Sequence, residues 1–221
     1  MAKVLLSSDI EAMRGTIDKR VYSNSHVGPT VRGKGAPKER VETAAQQAAQ
    51  NNLRMASKTY KGLSEAQAQA WAAWGKKFTR RDRVTGELYV LTGNMAFCGL
   101  TSKFLQINAG GAIPLSPPPV QFAGDTVKVT AVAGGSKITF TADKANGADI
   151  KTELLLQELA GRNRRLYMDK YVSEGFFAFA TGSLSTVVAV PAGFYAPAYR
   201  FVNSKTGEEV GIVTLPTVQV T

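Results

Sequence analysis

The spacing of apolar residues changes part-way along the chain. Between residues 41 and 78, and again from residue 94 to about residue 110, they recur every three or four positions, which is the period of an α-helix. From residue 120 to the end they alternate with polar residues, which is the period of a β-strand. The pattern predicts an α+β protein in which helices precede an antiparallel sheet domain.

The first helical stretch is predicted to contain two helices joined by a short link. Gly62 ends the first helix, where we expect it to adopt the left-handed conformation that glycine tolerates. Ser64 and Gln67 follow with the spacing of a capping box, so a second helix is expected to start there. The helical period of the first helix is carried by Ala45, Ala49, Leu53, Ala56 and Tyr60.

Aromatic residues predict how the helices pack. Trp71 and Trp74 fall on one face of the second helix, so we expect them to anchor an antiparallel helical hairpin with the first helix. A strand hairpin turning at residues 85 and 86 is predicted next. Phe97 then belongs to a third helix, whose other apolar positions are Leu100, Phe104 and Leu105.

A proline-rich segment separates the predicted helices from the predicted strands. It contains three consecutive prolines and follows a pair of glycines, so no regular element is expected in it. We interpret this segment as a linker. The chain is then divided into a basic extended arm, a helical hairpin with a third helix, the linker, and a β-sandwich domain, with bounds at residues 1–40, 41–112, 113–119 and 120–221.

The C-terminal region is predicted to consist of short strands divided by turns. "TVKVTAV" and "KITFTAD" alternate in polarity and are joined by Ala-Gly-Gly-Ser, a hairpin signal. Many short strands in about 100 residues are typical of an antiparallel sandwich of the immunoglobulin type. Further strands are expected at residues 152–160, 164–172, 176–182, 185–191, 194–203 and 209–220.

One stretch of this region, "VPAGFYAPAYRFVNSKTGE", resembles fibronectin type III domains, in which a Pro-x-Gly turn precedes a tyrosine and an alternating strand. The resemblance implies that Tyr195 is a corner tyrosine, with its hydroxyl bonded back to the turn. The core tryptophan of that family has no counterpart here, because Trp71 and Trp74 lie in the helical part. An immunoglobulin-like or fibronectin-like sandwich is the fold that this resemblance implies.

Charge is distributed unevenly along the chain. At 221 residues and 44% hydrophobic composition, the protein is long enough to bury a core, and its formal net charge is +10. Residues 1–84 hold 16 of the 27 basic residues but only 7 of the 17 acidic ones. Such an excess attracts either nucleic acid or an acidic protein surface, and charge alone leaves both alternatives open.

The basic excess is densest in residues 14–40. Two pieces of this segment, "KRVYSNS" and "PTVRGKG", are predicted to be short and extended, with too few apolar residues to be stable alone. We interpret the segment as a strap that adds strands to a neighbouring subunit, with Tyr22 and Val31 as its apolar anchors. The basic residues expected at this interface are Arg14, Lys19, Arg20, Arg32, Lys34, Lys38 and Arg40.

Residues that commonly carry catalysis are scarce. His26 is the single histidine and Cys98 the single cysteine, which excludes a disulfide framework and a His-Cys zinc site. A Ser-His-Asp triad would need His26, whose neighbours are polar and suggest no pocket. Cys98 has apolar neighbours, so we expect a buried, inert thiol. We predict a protein that is not an enzyme, with no catalytic, cofactor or metal site. No membrane span or secretory signal is expected either.

Nucleic-acid binding remains the alternative function. The two helices around "KGLSEAQ" have the length of a helix-turn-helix, and "KKFTRRDR" offers phosphate contacts. The second helix, however, presents alanine and tryptophan where base recognition needs polar side chains. Any nucleic-acid contact is therefore expected to be independent of base sequence. A second basic cluster, "GRNRRLY" at residues 161–167, is interpreted as a solvated turn.

The order of motifs over residues 15–97 resembles a family of virion structural proteins of bacteriophages and prophages. The motifs are "GTIDKRVYSNSHVGPTVR", "TAAQQAAQNNL", "LSEAQAQAWAAWG" and "LTGNMAF". In that family a strand pair leads into a glutamine-rich helix, a tryptophan helix and a Gly-x-Asn-x-Phe segment, and a sandwich domain often follows. The matching residues are interpreted as scaffold: Val31, Arg32, Gln46, Gln67, Trp71, Trp74, Gly93, Asn94 and Phe97.

This resemblance implies a component of a virus particle and supplies no catalytic residues. We therefore expect a capsid-associated protein with a cement or decoration role, assembled in the host cytoplasm and held in the particle by residues 14–40. Capsid proteins, tail proteins or copies of the same chain are its expected partners, with nonspecific nucleic-acid contact as an addition. A tail or adhesion component is the alternative within the same class.

Overall fold

The computed structural model describes residues 2–3, 15–17, 20–25, 28–34, 41–81 and 86–221. The chain forms two compact units, Met1–Thr43 and Ala44–Thr221. Five residues singled out by the sequence, Arg14, Lys19, His26, Lys38 and Arg40, lie outside the described residues. The two units are described in turn below.

The first unit contains an antiparallel sheet of four short strands. Its order is β1-β4-β3-β2. The two predicted extended pieces correspond to β3 and β4, whereas β1 and β2 are too short to give a periodic signal in the sequence. The bounds are Ala2–Lys3 for β1, Gly15–Ile17 for β2, Arg20–Ser25 for β3 and Gly28–Gly33 for β4.

Cross-strand pairs hold β3 and β4 in register. Tyr22 lies directly opposite Val31, and Ser23 lies opposite Thr30. The hydroxyl oxygens of Ser23 and Thr30 are 2.9 Å apart, and Thr30 is buried. Such directly opposed pairs are the unit of sheet stabilisation. The described strands of the predicted strap, β2, β3 and β4, are therefore paired within their own chain.

The second unit begins with the three predicted helices. The capping box is present, since Gln67 N donates to Ser64 Oγ (3.4 Å) and Ser64 N donates to Gln67 Oε1 (3.0 Å). Gly62 does not adopt the left-handed conformation that was predicted for it. Its amide donates to Thr59 O (3.0 Å), an i to i−3 bond, so helix α1 ends in a 3₁₀ turn. The helices are α1 (Ala44–Lys61), α2 (Glu65–Gly75) and α3 (Gly93–Ile107).

Helix α3 is the centre of the helical packing. Phe97 on α3 is fully buried, and its ring lies 5.6 Å from that of Tyr60 and 5.1 Å from that of Trp71. Helices α1 and α2 each pack on α3 and make little direct contact with one another. Ala56 of α1 belongs to the same buried cluster as Trp71 and Trp74 of α2, and residues of α3 complete that cluster. Helix α3 can approach α2 closely because residue 93 is glycine, since a Cβ there would lie 2.8 Å from Ala72 N.

Between α2 and α3 runs a two-stranded antiparallel ribbon. It consists of β5 (Thr79–Arg81) and β6 (Leu88–Val90), with Arg80 directly opposite Tyr89. All six residues of the two strands are exposed. The predicted strand pair is confirmed, whereas its turn includes residues 82–85, which lie outside the described residues.

The remaining strands form two antiparallel sheets. The larger has the order β10-β9-β12-β13, with β14 also paired to β12, and the smaller has the order β11-β8-β7. The strands are β7 (Val129–Ala133), β8 (Lys137–Ala142), β9 (Ile150–Leu159), β10 (Val172–Phe177), β11 (Ser185–Ala189), β12 (Gly193–Asn203), β13 (Val213–Thr214) and β14 (Val218–Val220).

One buried cluster joins the two sheets. Ile138 and Phe140 of β8 are fully buried, as is Leu154 of β9, and Phe201 of β12 belongs to the same cluster. Burying apolar side chains from both sheets in a single core is the main stabilising term for such a layer structure.

The predicted strand at residues 164–172 is wrong. Residues 161–170 form a loop that contains a 3₁₀ turn at Met168–Lys170, and strand β10 starts only at Val172. Tyr167 and Met168 are exposed, at 44% and 60%, whereas Leu166 and Tyr171 are half-buried. Burial in this segment therefore does not follow the two-residue period of a strand.

The proline-rich segment packs within the second unit. Trp71 Nε1 donates to Leu115 O (2.9 Å), and Phe122 N donates to Glu208 Oε1 (3.1 Å). Pro118 is buried. The sequence analysis places a boundary at residues 113–119, whereas in the structure these residues lie inside one compact unit that contains both helices and sheets.

The corner tyrosine occupies the position implied by the sequence resemblance. Tyr195 at the start of β12 is 5% exposed, and its hydroxyl donates to Pro191 O (3.1 Å). This bond closes the turn that leads into the longest strand of the larger sheet.

Helix α3 docks on the turn that follows β12. Asn203 Oδ1 accepts from the amides of Lys205 and Thr206, which fixes the turn, and Gly207 follows with φ 75°. A Cβ on Gly207 would lie 2.8 Å from Phe104 N and closer still to Leu100 O. Only glycine allows this conformation and this approach together.

We predict that Gly207→Ala destabilises the protein through the loss of this docking. Gly110→Ala is the matched control, because Gly110 has φ 74° but no atom within 4 Å of its Cβ position. The control should lose about 1–2 kcal/mol of unfolding free energy from backbone strain alone, and Gly207→Ala about 3 kcal/mol or more, since overpacking is added. Urea unfolding of both variants measures the difference. Equal losses would show that α3 does not depend on this contact.

Candidate interaction surfaces

The second unit contains a groove of about 490 Å³ beside α3. Its apolar wall comes from the α2–α3 region and includes Phe78, Leu91 and Met95. The opposite wall is the segment after β12, with Val210 and Ile212. Charged side chains line it between these walls: Arg80, Lys103, Arg200, Glu208 and Glu209.

A four-residue ion network lies at this groove and ties α3 to the larger sheet. Glu153 on β9 is 1% exposed, and its carboxylate contacts Lys103 Nζ (3.1 Å) and Arg200 Nε (2.6 Å). Glu209 contacts the same two cations, at 3.3 Å and 2.9 Å. Two carboxylates and two cations thus neutralise one another, and together they link α3, the larger sheet and the segment after β12.

The network holds Glu153 in its ionised form. Burial alone would raise the pKa of this carboxyl group, but the hydrogen bond from Arg200 and the charge of Lys103 outweigh burial and lower the pKa. A carboxylate so fixed has no proton to donate near neutral pH. The arrangement fits a structural ion network, whose removal on one side leaves buried charge uncompensated.

We predict that Glu153→Gln lowers stability at neutral pH by about 3 kcal/mol, because two cations lose a buried partner while Glu209 remains. A lowered pKa in the folded state adds stability above the ordinary glutamate pKa of about 4.3, and this stability is lost as pH falls through the folded value. The variant should therefore show a shallower decline in unfolding free energy below about pH 5.

Asp149→Asn is the control for this prediction. The pair of Asp149 with Lys205 is exposed on both sides, so its loss should change the unfolding free energy by less than about 1 kcal/mol. Denaturant unfolding from pH 3 to pH 7 compares the two variants with the parent protein. A Glu153→Gln protein with unchanged stability and pH dependence would contradict the structural role of the network.

The ribbon formed by β5 and β6 presents an apolar surface to solvent. Leu88 is 66%, Tyr89 37% and Val90 49% exposed, although all three are consecutive residues of one strand. Met95 at the start of α3 is 51% exposed. A two-stranded ribbon is only marginally stable alone. Side chains alternate between the two faces of a strand, so Leu88 and Val90 share one face of the ribbon and Tyr89 lies on the other. Leu88 and Val90 are therefore the candidate apolar contact.

The four-stranded sheet carries the described part of the predicted interface. Arg20, Arg32 and Lys34 are exposed, and Tyr22 and Val31 are half-buried. The register divides them between two faces, because Arg20 lies with Tyr22 and Val31 whereas Arg32 lies opposite Val21. The structure thus shows two basic faces in place of a single charged strip.

The predicted structural residues are all buried. Trp71, Trp74, Phe97 and Tyr195 are each 5% exposed or less. The thiol of Cys98 is half-buried, donates to Asn94 Oδ1 (3.1 Å), and has its pKa raised by burial. Burial therefore disfavours the reactive thiolate form.

Within the described residues, no group of three or more His, Cys, Asp or Glu side chains is placed to hold a metal ion. None of the described helices is both long and apolar enough to span a membrane.

The sequence analysis missed the ion network. Its members are far apart in the chain, with Lys103 and Arg200 lying 50 and 47 positions from Glu153. One signal was present, because Glu153 follows a threonine and precedes three leucines in a predicted strand, where a charge has to find a partner.

No family model matches the chain, and no curated protein matches it. Among solved structures, the chain is similar to the third fibronectin III domain of the human KIAA0343 protein, with 15% identity, 50% of this chain and 96% of that chain covered, and a TM-score of 0.28. A TM-score of that size does not establish a shared fold.

Proposed function

We propose that this protein is a non-enzymatic structural component of a bacterial virus particle, associated with the capsid in a cement or decoration role. The observation that carries the proposal is the exposed apolar pair Leu88 and Val90 on one face of β6, because covering these two side chains with a partner removes apolar area from water. The sequence resemblance over residues 15–97 supplies the virion context.

The basic sheet supports the same function. Arg20, Arg32 and Lys34 are exposed on a unit built from very short strands. Short strands with unpaired outer edges are suited to adding a strand from another chain, and exposed cations favour an acidic partner surface. We propose that this sheet fastens the protein to a capsid subunit or to a second copy of itself.

We infer that the C-terminal sheets form a sandwich of the fibronectin type III kind. The first, second and fifth strands after the helices form the smaller sheet, and the others form the larger sheet. This distribution resembles the two-sheet division of immunoglobulin-like folds. The corner bond from Tyr195 to Pro191 supports it. Such a domain would give the particle a rigid element in addition to the fastening sheet.

Detection of the chain in purified particles tests the proposal most simply. We expect mass spectrometry of particles from a host carrying the gene to find the protein in a fixed ratio to the capsid subunit. A ratio fixed to tail proteins would support the tail alternative and contradict the capsid assignment. Absence from intact particles would contradict the proposal.

We predict that Leu88→Ser/Val90→Ser weakens association of the full chain with particles lacking it, by at least about 10-fold in Kd, because an apolar contact of about 1.5 kcal/mol or more per side chain is removed. Val132→Ser/Val187→Ser is the control, since these valines are 66% and 51% exposed on the smaller sheet. Sedimentation with particles gives both affinities. Equal loss in the two variants would show that the ribbon is not the contact.

We also predict that Arg20→Gln/Arg32→Gln/Lys34→Gln weakens the same association and makes it less dependent on salt, since charge complementarity is screened by ions. Lys128→Gln/Lys137→Gln/Lys144→Gln removes the same charge from exposed lysines elsewhere and should leave the affinity within about 2-fold. The affinities are compared at about 0.05 and 0.3 M salt. A similar effect of both triple variants would mean that net charge, rather than this sheet, drives association.

A further inference from the structure

The loop between β9 and β10, residues 161–170, concentrates positive charge without internal neutralisation. Its cations, Arg162, Arg164, Arg165 and Lys170, are all exposed, and its single acidic residue is Asp169. Within the described part of the chain, none of the four forms an ion pair within 4.0 Å. The cations Lys103, Arg200 and Lys205, by contrast, are all paired.

The loop is held in shape by the strand that precedes it. Gln157 on β9 is 4% exposed, and its Oε1 accepts from Tyr167 N (3.1 Å). Arg164 N donates to Gly161 O (3.3 Å), and Lys170 N donates to Tyr167 O (3.1 Å). A buried side chain and two turns therefore position the loop before any ligand binds, which lowers the entropy lost on binding.

An exposed aromatic ring lies among these cations. Tyr167 is 44% exposed, with Lys170 Nζ at 4.8 Å and the Arg165 guanidinium at 5.6 Å from the ring centroid. Both cations lie over the ring, so a planar group that stacks on Tyr167 has to displace one of them. The displaced cation is then next to the stacked group, where it can meet negative charge. Phosphates alternating with planar bases are the ligand that uses both features.

These observations favour single-stranded nucleic acid over an acidic protein surface. Three of the four cations are arginines, whose planar guanidinium forms bidentate bonds with phosphate oxygens. Carboxylates on a protein surface would pair with the cations but would not stack on the Tyr167 ring. Paired bases in a duplex would leave the ring without a stacking partner, whereas unpaired bases supply one.

We propose that residues 161–170 bind single-stranded nucleic acid independently of base sequence, with phosphates on Arg162, Arg164, Arg165 and Lys170 and a base stacked on Tyr167. The inference is separate from the proposed particle contacts, which use the β5–β6 ribbon and the N-terminal sheet. A particle protein with this loop would hold both a protein partner and exposed genome.

The test is fluorescence anisotropy of the full chain with a labelled oligothymidylate of about 20 nucleotides, at several salt concentrations. Arg162→Gln/Arg164→Gln/Arg165→Gln should weaken binding at least about 10-fold and reduce the slope of log K against log salt by about 2, because each lost single-strand phosphate contact removes about 0.7. The triple variant at Lys128, Lys137 and Lys144 removes equal charge and should stay within about 2-fold.

The ring is tested separately. Tyr167→Ala should weaken binding about 5-fold or more through the lost stacking, Tyr167→Phe should keep parental affinity, and a duplex of equal length should bind more weakly than the single strand. Loss in the arginine variant no greater than in the lysine variant would overturn the site. Unchanged affinity in Tyr167→Ala, or tighter binding of the duplex, would overturn the assignment of single strands.

The particle proposal and the loop proposal can each be overturned without the other. If the oligonucleotide does not bind but the ribbon variant still loses particle association, the loop proposal alone is overturned. If the oligonucleotide binds as expected but the ribbon variant keeps full particle association, the particle proposal alone is overturned.

Discussion

The contact of α3 with the turn after β12 is the constraint on which the second unit depends. Three interactions act there together: the close approach at Gly207, the hydrogen bond from Asn108 Nδ2 to Ser204 O (2.6 Å), and the ion network around Glu153. Because α1 and α2 both pack on α3, this one helix connects the helical part to the sheets. Without it, neither α1 nor α2 would have a core to join.

This connection determines what the surface can do. A firmly joined unit carries its short elements as fixed projections, so the β5–β6 ribbon and the loop at residues 161–170 are displayed in defined positions. The buried charges serve the connection itself, and the exposed apolar and basic residues remain for partners. A protein organised in this way is suited to holding other macromolecules in place, which is the role proposed for it.

Structure formed by residues close together in the chain was predicted from the sequence, whereas contacts between residues far apart in the chain were not. The capping box at Ser64 and Gln67 and the corner bond of Tyr195 involve residues three or four positions apart, so short motifs were enough to predict them. The contacts of α3 with α1, α2 and the β12 turn depend on tertiary packing. The three helices were each predicted, but the packing of α3 on the sheets within one unit was not.

Two further errors have specific physical causes. The apolar residues in 164–172 predict a strand, but the Tyr167 amide donates to the Gln157 side chain and the segment forms a loop with a 3₁₀ turn. The strands β1 and β2 have two and three residues, too few to show any period. The interface residues were predicted from charge, which shows neither the pairing of β3 with β4 nor the division of Arg20 and Arg32 between two faces.

Cross-linking mass spectrometry of intact, purified virus particles tests the central claim most directly. Amine-reactive linkers should join Lys34 of the N-terminal sheet, and Lys76 or Lys77 next to the ribbon, to lysines of a capsid protein or of a second copy of the chain. Exposed lysines that belong to neither surface, such as Lys128 and Lys137, should form few such links. A pattern in which only these remote lysines, or no lysine at all, are linked to another chain would contradict the account.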